Sequence, residues 1–415
     1  MKKNIYLVLF GLLLGIGTVS CDNESEDLFE QTAAERKSEA IKEYEDALKS
    51  AEKGWLFQYF PEENQKYGGY NYVVKFKEKD SVKVWMEGMV DSETSMFDVV
   101  AYGGPVLTFN TYNSLMHKYA TPSAAEYNAK GGDFEFLLMS KDDDVITLKG
   151  VKTQNNLRLI KMTETPDEYF AKTKAVMDFL VGASMGTAIK KTPVTVIPGN
   201  RVLTFNYNDG KENVSKDVAF LPTDKGIHFY EAIEINGVSA QDFTLNKETK
   251  QLTSENKNMT INIAFAPVDL TKERWSINFT EKTDRSDAVK AVWDIVYAAN
   301  KKTYNEDLHN KLFLGLCYAK SGDIGTSFYS VTSGGKSYRA HYNLSFGGVV
   351  GHDDYLKIIK LSGGFNWKWY GHLKSMVNMI SDNAPYKTEV DDAKDPKVVK
   401  LTSVANPDVW FVLRK

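Results

Sequence analysis

Tyr70-Asn71-Tyr72-Val73-Val74-Lys75-Phe76 runs through Glu78-Lys79-Asp80 into Val82-Lys83-Val84-Trp85-Met86. Large apolar side chains stand at every second position on both sides of a charged turn, and successive side chains of a strand point to opposite faces. The stretch reads as a β-hairpin with one buried face. Further strands are expected at 97–102, 106–111, 133–139, 145–149 and 157–162, parted by Gly103-Gly104-Pro105, Gly131-Gly132 and Asn155-Asn156. Sequential strands on short turns make an antiparallel meander.

Helices interrupt this pattern. Thr32-Ala33-Ala34-Glu35 fits a capping box and leads into Ile41, Tyr44, Leu48 and Ala51 at helical spacing. Thr165-Pro166-Asp167-Glu168 opens a second helix, whose stripe is Phe170, Val176, Met177 and Leu180. A third is expected over 284–300 on Val289, Val292, Trp293 and Val296, and a fourth on Trp369, Leu373, Met376, Val377 and Ile380. Alternating runs lie between them at 202–207, 233–235, 259–265, 275–279, 338–346, 355–361, 398–401 and 409–413. The expected class is α+β, predominantly antiparallel β-meander sheets with three or four packed helices.

Val106-Leu107-Thr108-Phe109-Asn110 recurs as Val202-Leu203-Thr204-Phe205-Asn206, and Asp133-Phe134-Glu135-Phe136-Leu137 is echoed by Asp217-Val218-Ala219-Phe220-Leu221. This reads as an internal duplication, with coincidence among strand-forming residues as the alternative. The blocks expected are 32–163, 164–282 as a repeat of the first, and 283–415, each a helix plus an antiparallel sheet.

Residues 1–20 have a signal-peptide layout: Lys2 and Lys3, an apolar run from Ile5 to Val19, then small residues before Cys21. Small residues ahead of a cysteine resemble a lipobox, so Cys21 is the expected lipidation site and a membrane the expected partner through that anchor. An ordinary secreted protein cleaved nearby is the alternative. Residues 21–31 hold Asp22, Glu24, Glu26 and Asp27 without apolar periodicity, which reads as an acidic tether. That tether is either a plain solvated linker or an acidic export signal of surface-exposed lipoproteins. The body is of ordinary composition, with 42% hydrophobic and 26% charged residues. A net charge of -4 without a basic block gives no electrostatic footprint for nucleic acid.

Chemistry is sparse. With Cys21 acylated, Cys317 is left without a partner in an apolar setting where a thiol packs as a small hydrophobe. Six scattered histidines show no zinc spacing, and Asp142-Asp143-Asp144 lacks the spacing of a calcium loop and reads as a hairpin turn. Neither phosphate loop, dinucleotide fingerprint nor nucleophile elbow is present, so no catalytic residue, metal or cofactor is expected. Aromatics are the one surplus. In Phe365-Asn366-Trp367-Lys368-Trp369-Tyr370, Trp367 and Trp369 are the candidate ligand-binding residues, with core packing as the alternative. If Trp369 belongs to the buried stripe of its helix, Trp367 points elsewhere.

The lipobox at Cys21, the acidic tether, Gly54-Trp55, Gly132-Asp133-Phe134-Glu135-Phe136, Ile146-Thr147-Leu148-Lys149-Gly150, and Gly226-Ile227-His228-Phe229-Tyr230 with Asn236-Gly237 together resemble an uncharacterised family of Bacteroidetes lipoproteins. That family is known only as a domain of unknown function, and the likeness is expected to run over nearly the whole mature chain. It implies an outer-membrane location, the cell surface favoured over the periplasmic face, near import components of the starch-utilisation type. It carries over no catalytic residue. The expected function is a non-enzymatic binding or accessory lipoprotein for nutrient capture, with an outer-membrane importer as partner. A hydrolase assembled only in three dimensions and a structural or adhesive surface protein are the alternatives.

Overall fold

A computed structural model describes residues 32–124, 127 and 129–415, so Cys21 and the expected signal and tether lie outside the described residues. The first helix, α1 (Ala33–Lys49), starts on its capping box: Thr32 Oγ1 accepts from the Glu35 amide at 3.2 Å, and the Glu35 carboxylate accepts from the Thr32 amide at 2.9 Å. From β1 (Trp55–Tyr59) the chain enters the hairpin of β2 (Tyr70–Lys77) and β3 (Ser81–Met86), with Val74 opposite Val84 and Phe76 opposite Val82. There follow β4 (Glu93–Met96), β5 (Asp98–Ala101), β6 (Pro105–Thr108), β7 (Glu135–Lys141), β8 (Val145–Gly150) and β9 (Asn156–Lys161). The sheet order is β4-β3-β2-β1-β9-β8-β7-β6-β5. Only the buried Phe97 separates β4 from β5, so the two edges of this sheet are one interrupted strand and the sheet curls into a barrel.

The second unit opens with α2 (Pro166–Leu180), again on a capping box, from Thr165 and Glu168. Its strands are β10 (Ser184–Ile189), β11 (Thr192–Pro198), β12 (Val202–Asn208), β13 (Asn213–Pro222), β14 (Gly226–Ile235), β15 (Val238–Asn246), β16 (Gln251–Ser254) and β17 (Thr260–Ala264). They pair in sequence order and close through β10 with β17.

The third unit begins with β18 (Arg274–Asn278), ahead of residue 283, because this strand pairs with strands of the third sheet and not of the second. It continues with α3 (Asp287–Tyr304), β19 (Glu306–Leu308), β20 (Lys311–Tyr318), β21 (Asp323–Thr332), β22 (Ser337–Val349), β23 (His352–Gly363), α4 (Lys374–Asp382), β24 (Tyr386–Val390), β25 (Val398–Ser403) and β26 (Trp410–Arg414). Both β19 and β20 lie along β21, one after the other, while β22 takes the other side of β21 and β18 pairs with β26. This ring closes too.

The fold is therefore antiparallel β with four α-helices among the described residues, in the expected α+β class, but the sheets are barrels and not open meanders. The neighbouring-strand order of a meander survives; closure comes from first-with-last pairing. The residue echo does not follow this architecture. Val106–Asn110 starts in β6, the fifth strand of its ring, whereas Val202–Asn206 lies in β12, the third of its own.

An eight-stranded barrel has an interior just wide enough to be filled by side chains. Phe57, Tyr72 and Phe136 fill the first, Phe205, Phe229 and Phe243 the second, and Trp275, Leu314 and Phe411 the third. In the third, Trp293 of α3 stacks flat on Phe279 at 3.9 Å between ring centroids. The hairpin departs from the reading in one respect: Val73, on the face expected to meet solvent, is buried. Together with Leu56 it is covered by Met162 and by Tyr169 of α2, while Val176 and Leu180 of the same helix join the core of the second barrel. One helix thus serves two barrels.

The fourth helix starts later than expected, at Lys374. Trp367–Trp369 and Gly371–Leu373 are separate 3-10 turns, entered from Asn366 in the left-handed conformation.

Candidate functional site

Room for a ligand lies outside the packed barrels. A largely apolar cleft lies at the end of the second barrel where β10, β12 and β14 begin and β11 finishes, facing β22 and β23 of the third barrel. Its volume is about 520 Å³, within the range of small-molecule sites. Met185, Leu203, Phe220 and Ile227, all buried, make its floor. Beside the exposed Thr195, Asn200 and Lys357, its rim carries three apolar side chains left in water: Val181 is 75% exposed, Ile197 52% and Ile359 42%. Exposed apolar surface gathered around a concavity marks a binding site more often than scattered residues do.

Local sequence explains each wall. After Leu180 the chain leaves α2 through Val181 and Gly182, the latter at φ +72°, which sets Val181 at the mouth. At the end of β11, Ile197 precedes the Pro198-Gly199-Asn200 turn. Opposite, Ser345 and Gly347 of β22 pair with Ile359 and Lys357 of β23. The barrels nearly touch at Gly348, where an added Cβ would stand 2.3 Å from the Phe265 carbonyl oxygen. Only glycine permits that approach. Lys357 is the one charged side chain of the lining.

A second, more polar cleft of about 280 Å³ separates the first barrel from the second. Behind its Asp242 and Arg158, His228 Nδ1 lies 2.6 Å from Asp242 Oδ1, and His228 Nε2 lies 3.1 Å from Arg158 Nη2. A guanidinium has no acceptor, so Nε2 must accept and Nδ1–H must donate to the carboxylate. Arg158 also donates through Nε and Nη2 to Gln58 Oε1, at 3.0 and 2.6 Å. Burial opposes ionisation of Asp242, but the His228 hydrogen bond and the nearby Arg158 outweigh it and hold the carboxyl below its usual range. Burial pushes the hydroxyl of the neighbouring Tyr169 upward. The chain of groups pins β9 to β14.

The aromatic pair expected to bind ligand is not in either cleft. Trp367 is half-buried against Phe328 and Tyr342, with ring centroids at 6.2 and 4.8 Å. Trp369 is 60% exposed and carries Lys368 Nζ 4.9 Å from its ring, so the expected division of labour between the two is reversed. Cys317 is buried, and burial pushes its thiol up to about 12, as suits a packing residue. Asp142 caps the expected hairpin turn, its carboxylate accepting from the amides of Asp144 and Val145. The lining of the apolar cleft went unread because its walls lie far apart in sequence; Ile197 beside Pro-Gly-Asn was the only local hint.

A family model described as a domain of unknown function, DUF4302, matches residues 25–247, just over half of the chain. The chain belongs to the DUF4302 family. The DUF4302 match takes in the first barrel and the second as far as β15, short of the nearly whole-chain span expected from the sequence. Among curated proteins none matches. Solved structures similar to this DUF4302 chain include a protein of unknown function from Nostoc punctiforme, 12% identical over 51% of this chain and 85% of that one, at a TM-score of 0.16. Another is a putative DNA polymerase III beta subunit from Eubacterium rectale, 8% identical over 90% and 97%, at a TM-score of 0.13. The DNA polymerase III beta chain of Streptococcus pneumoniae is 9% identical over 91% and 97%, also at 0.13. At such TM-scores these likenesses carry no argument about fold or function.

Proposed function

We propose that this protein is a non-enzymatic binding lipoprotein, held at the outer membrane by acylation of Cys21, whose body captures a small molecule for an importer. The observation that supports it is the cleft between the second and third barrels, with a buried apolar floor and three apolar side chains on its rim left in water. Hydrolysis needs a general base, a histidine or a carboxylate, free to take a proton from the nucleophile. Beside the polar cleft His228, Asp242 and Arg158 are hydrogen-bonded to one another, which favours a structural role for them.

The test is to purify the protein from native membranes and to extract what it carries. Mass spectrometry is expected to find an acylated Cys21 and a co-purifying small molecule, absent from an Ile197→Glu/Ile359→Glu variant. Both positions face water, so the variant is expected to fold. Equal extracts from the two proteins would remove the binding reading, and a bare Cys21 would remove the anchor.

A further inference from the structure

We propose that the cleft between the second and third barrels takes an anionic amphiphile, a single apolar chain ending in a carboxylate, with Lys357 as the residue that selects the charge. The inference rests on the binding reading above and names its ligand class. Three observations carry it.

The floor is apolar and Val181, Ile197 and Ile359 extend it onto the rim, so the greater part of any occupant must be apolar to gain from entering. No aspartate or glutamate is among the residues lining the cleft, and Lys357 is its only charge. The lysines nearby are already matched: Lys250 Nζ meets Asp353 at 3.0 Å, and Lys360 Nζ meets Asp382 at 2.6 Å. Lys357 has no such carboxylate among the described residues. A cation next to an apolar hollow with no internal counter-charge favours a ligand that supplies one, because a charge-assisted hydrogen bond is worth more than a neutral one. A neutral amphiphile would gain only from the apolar walls, and a cationic one would be opposed at the rim.

Met177 and Met185 both line the cleft, so ¹³C-methyl methionine NMR reads occupancy directly. The full mature chain is titrated with dodecanoate, 1-dodecanol and dodecyltrimethylammonium, each below its micelle concentration. Dodecanoate is expected to shift both methyl signals, and to bind about tenfold more weakly to Lys357→Met. Lys357→Arg is expected to keep wild-type affinity, and 1-dodecanol to bind both proteins alike. Lys357 is exposed, so these variants are expected to fold. If dodecanoate and 1-dodecanol bind equally and Lys357→Met changes neither, the charge assignment is overturned while the cleft remains a binding site. Shifts seen only with anionic phosphatidylglycerol vesicles overturn it in favour of a bilayer contact. No shift with any of the three probes overturns the ligand class, and the extraction experiment above then decides separately whether the cleft binds anything.

Discussion

Arg158 shows how much one side chain can hold. Its guanidinium satisfies Gln58 and His228, each almost wholly buried, from opposite sides of the boundary between two barrels. Arg158→Met leaves both acceptors without their donor, at about 1–3 kcal/mol for each buried group left unpaired. Urea unfolding is expected to show the loss, and an unchanged midpoint would mean that water replaces the guanidinium. Buried histidines make a second prediction. Burial lowers His341, His117 and His372 below an ordinary imidazole. An unfolded histidine titrates near ~6.5, so below that pH the unfolded chain holds more protons than the folded one. Stability is then complete above about 6.5 and falls as the pH drops through the depressed values, by up to about 1.4 kcal/mol per pH unit for each proton taken up. Urea midpoints at a series of pH values check this. His341→Gln is expected to flatten the slope, and stability rising on acidification would contradict it.

Among elements, α2 carries the most consequence, since Tyr169 closes the outside of the first barrel while Leu180 enters the second. Thr165→Ala removes its capping box and is expected to cost about 0.5–2 kcal/mol. Hydrogen exchange should register the change in both barrels; a change confined to the helix would show that it does not couple them. At the other junction Gly348→Ala places a methyl group against the Phe265 carbonyl and is expected to cost about 1–3 kcal/mol. Helix starts such as Thr165-Pro166-Asp167-Glu168 were legible because capping chemistry is local. The start of α4 was not. Trp369 stands four residues before Leu373 and so continues the apolar period of Met376, Val377 and Ile380. Periodicity alone therefore extends the helix through Gly371, where the backbone instead makes two tight turns. The burial of Val73 was hidden for another reason, because the helix that covers it lies far downstream.

At the scale of the molecule, alternation in Tyr70–Met86 foretold strands and their neighbours, but not closure. The pairing of β1 with β9, and of β18 with β26, joins segments that share no local signal. The apolar cleft was illegible for the same reason: Val181 and Ile197 meet Ile359 only once both barrels are formed and docked. The span of the family match yields a further prediction, because residue 247 falls before β16 and β17. A fragment of residues 32–246 would leave β10 and β15 unpaired along one side, and is expected to be digested rapidly by protease. A fragment of residues 32–266 restores both partners and is expected to resist. Similar digestion of the two would show that ring closure is not what stabilises the second barrel. The interrupted strands at Phe97 and between β19 and β20 complete their rings, but β13 meets β14 only at Phe220, Leu221 and Pro222 and leaves its earlier half bare on that side. Concentrating the protein puts that flank of one copy against the next; thioflavin T fluorescence is expected to rise with concentration, and a flat signal would show the flank to be shielded.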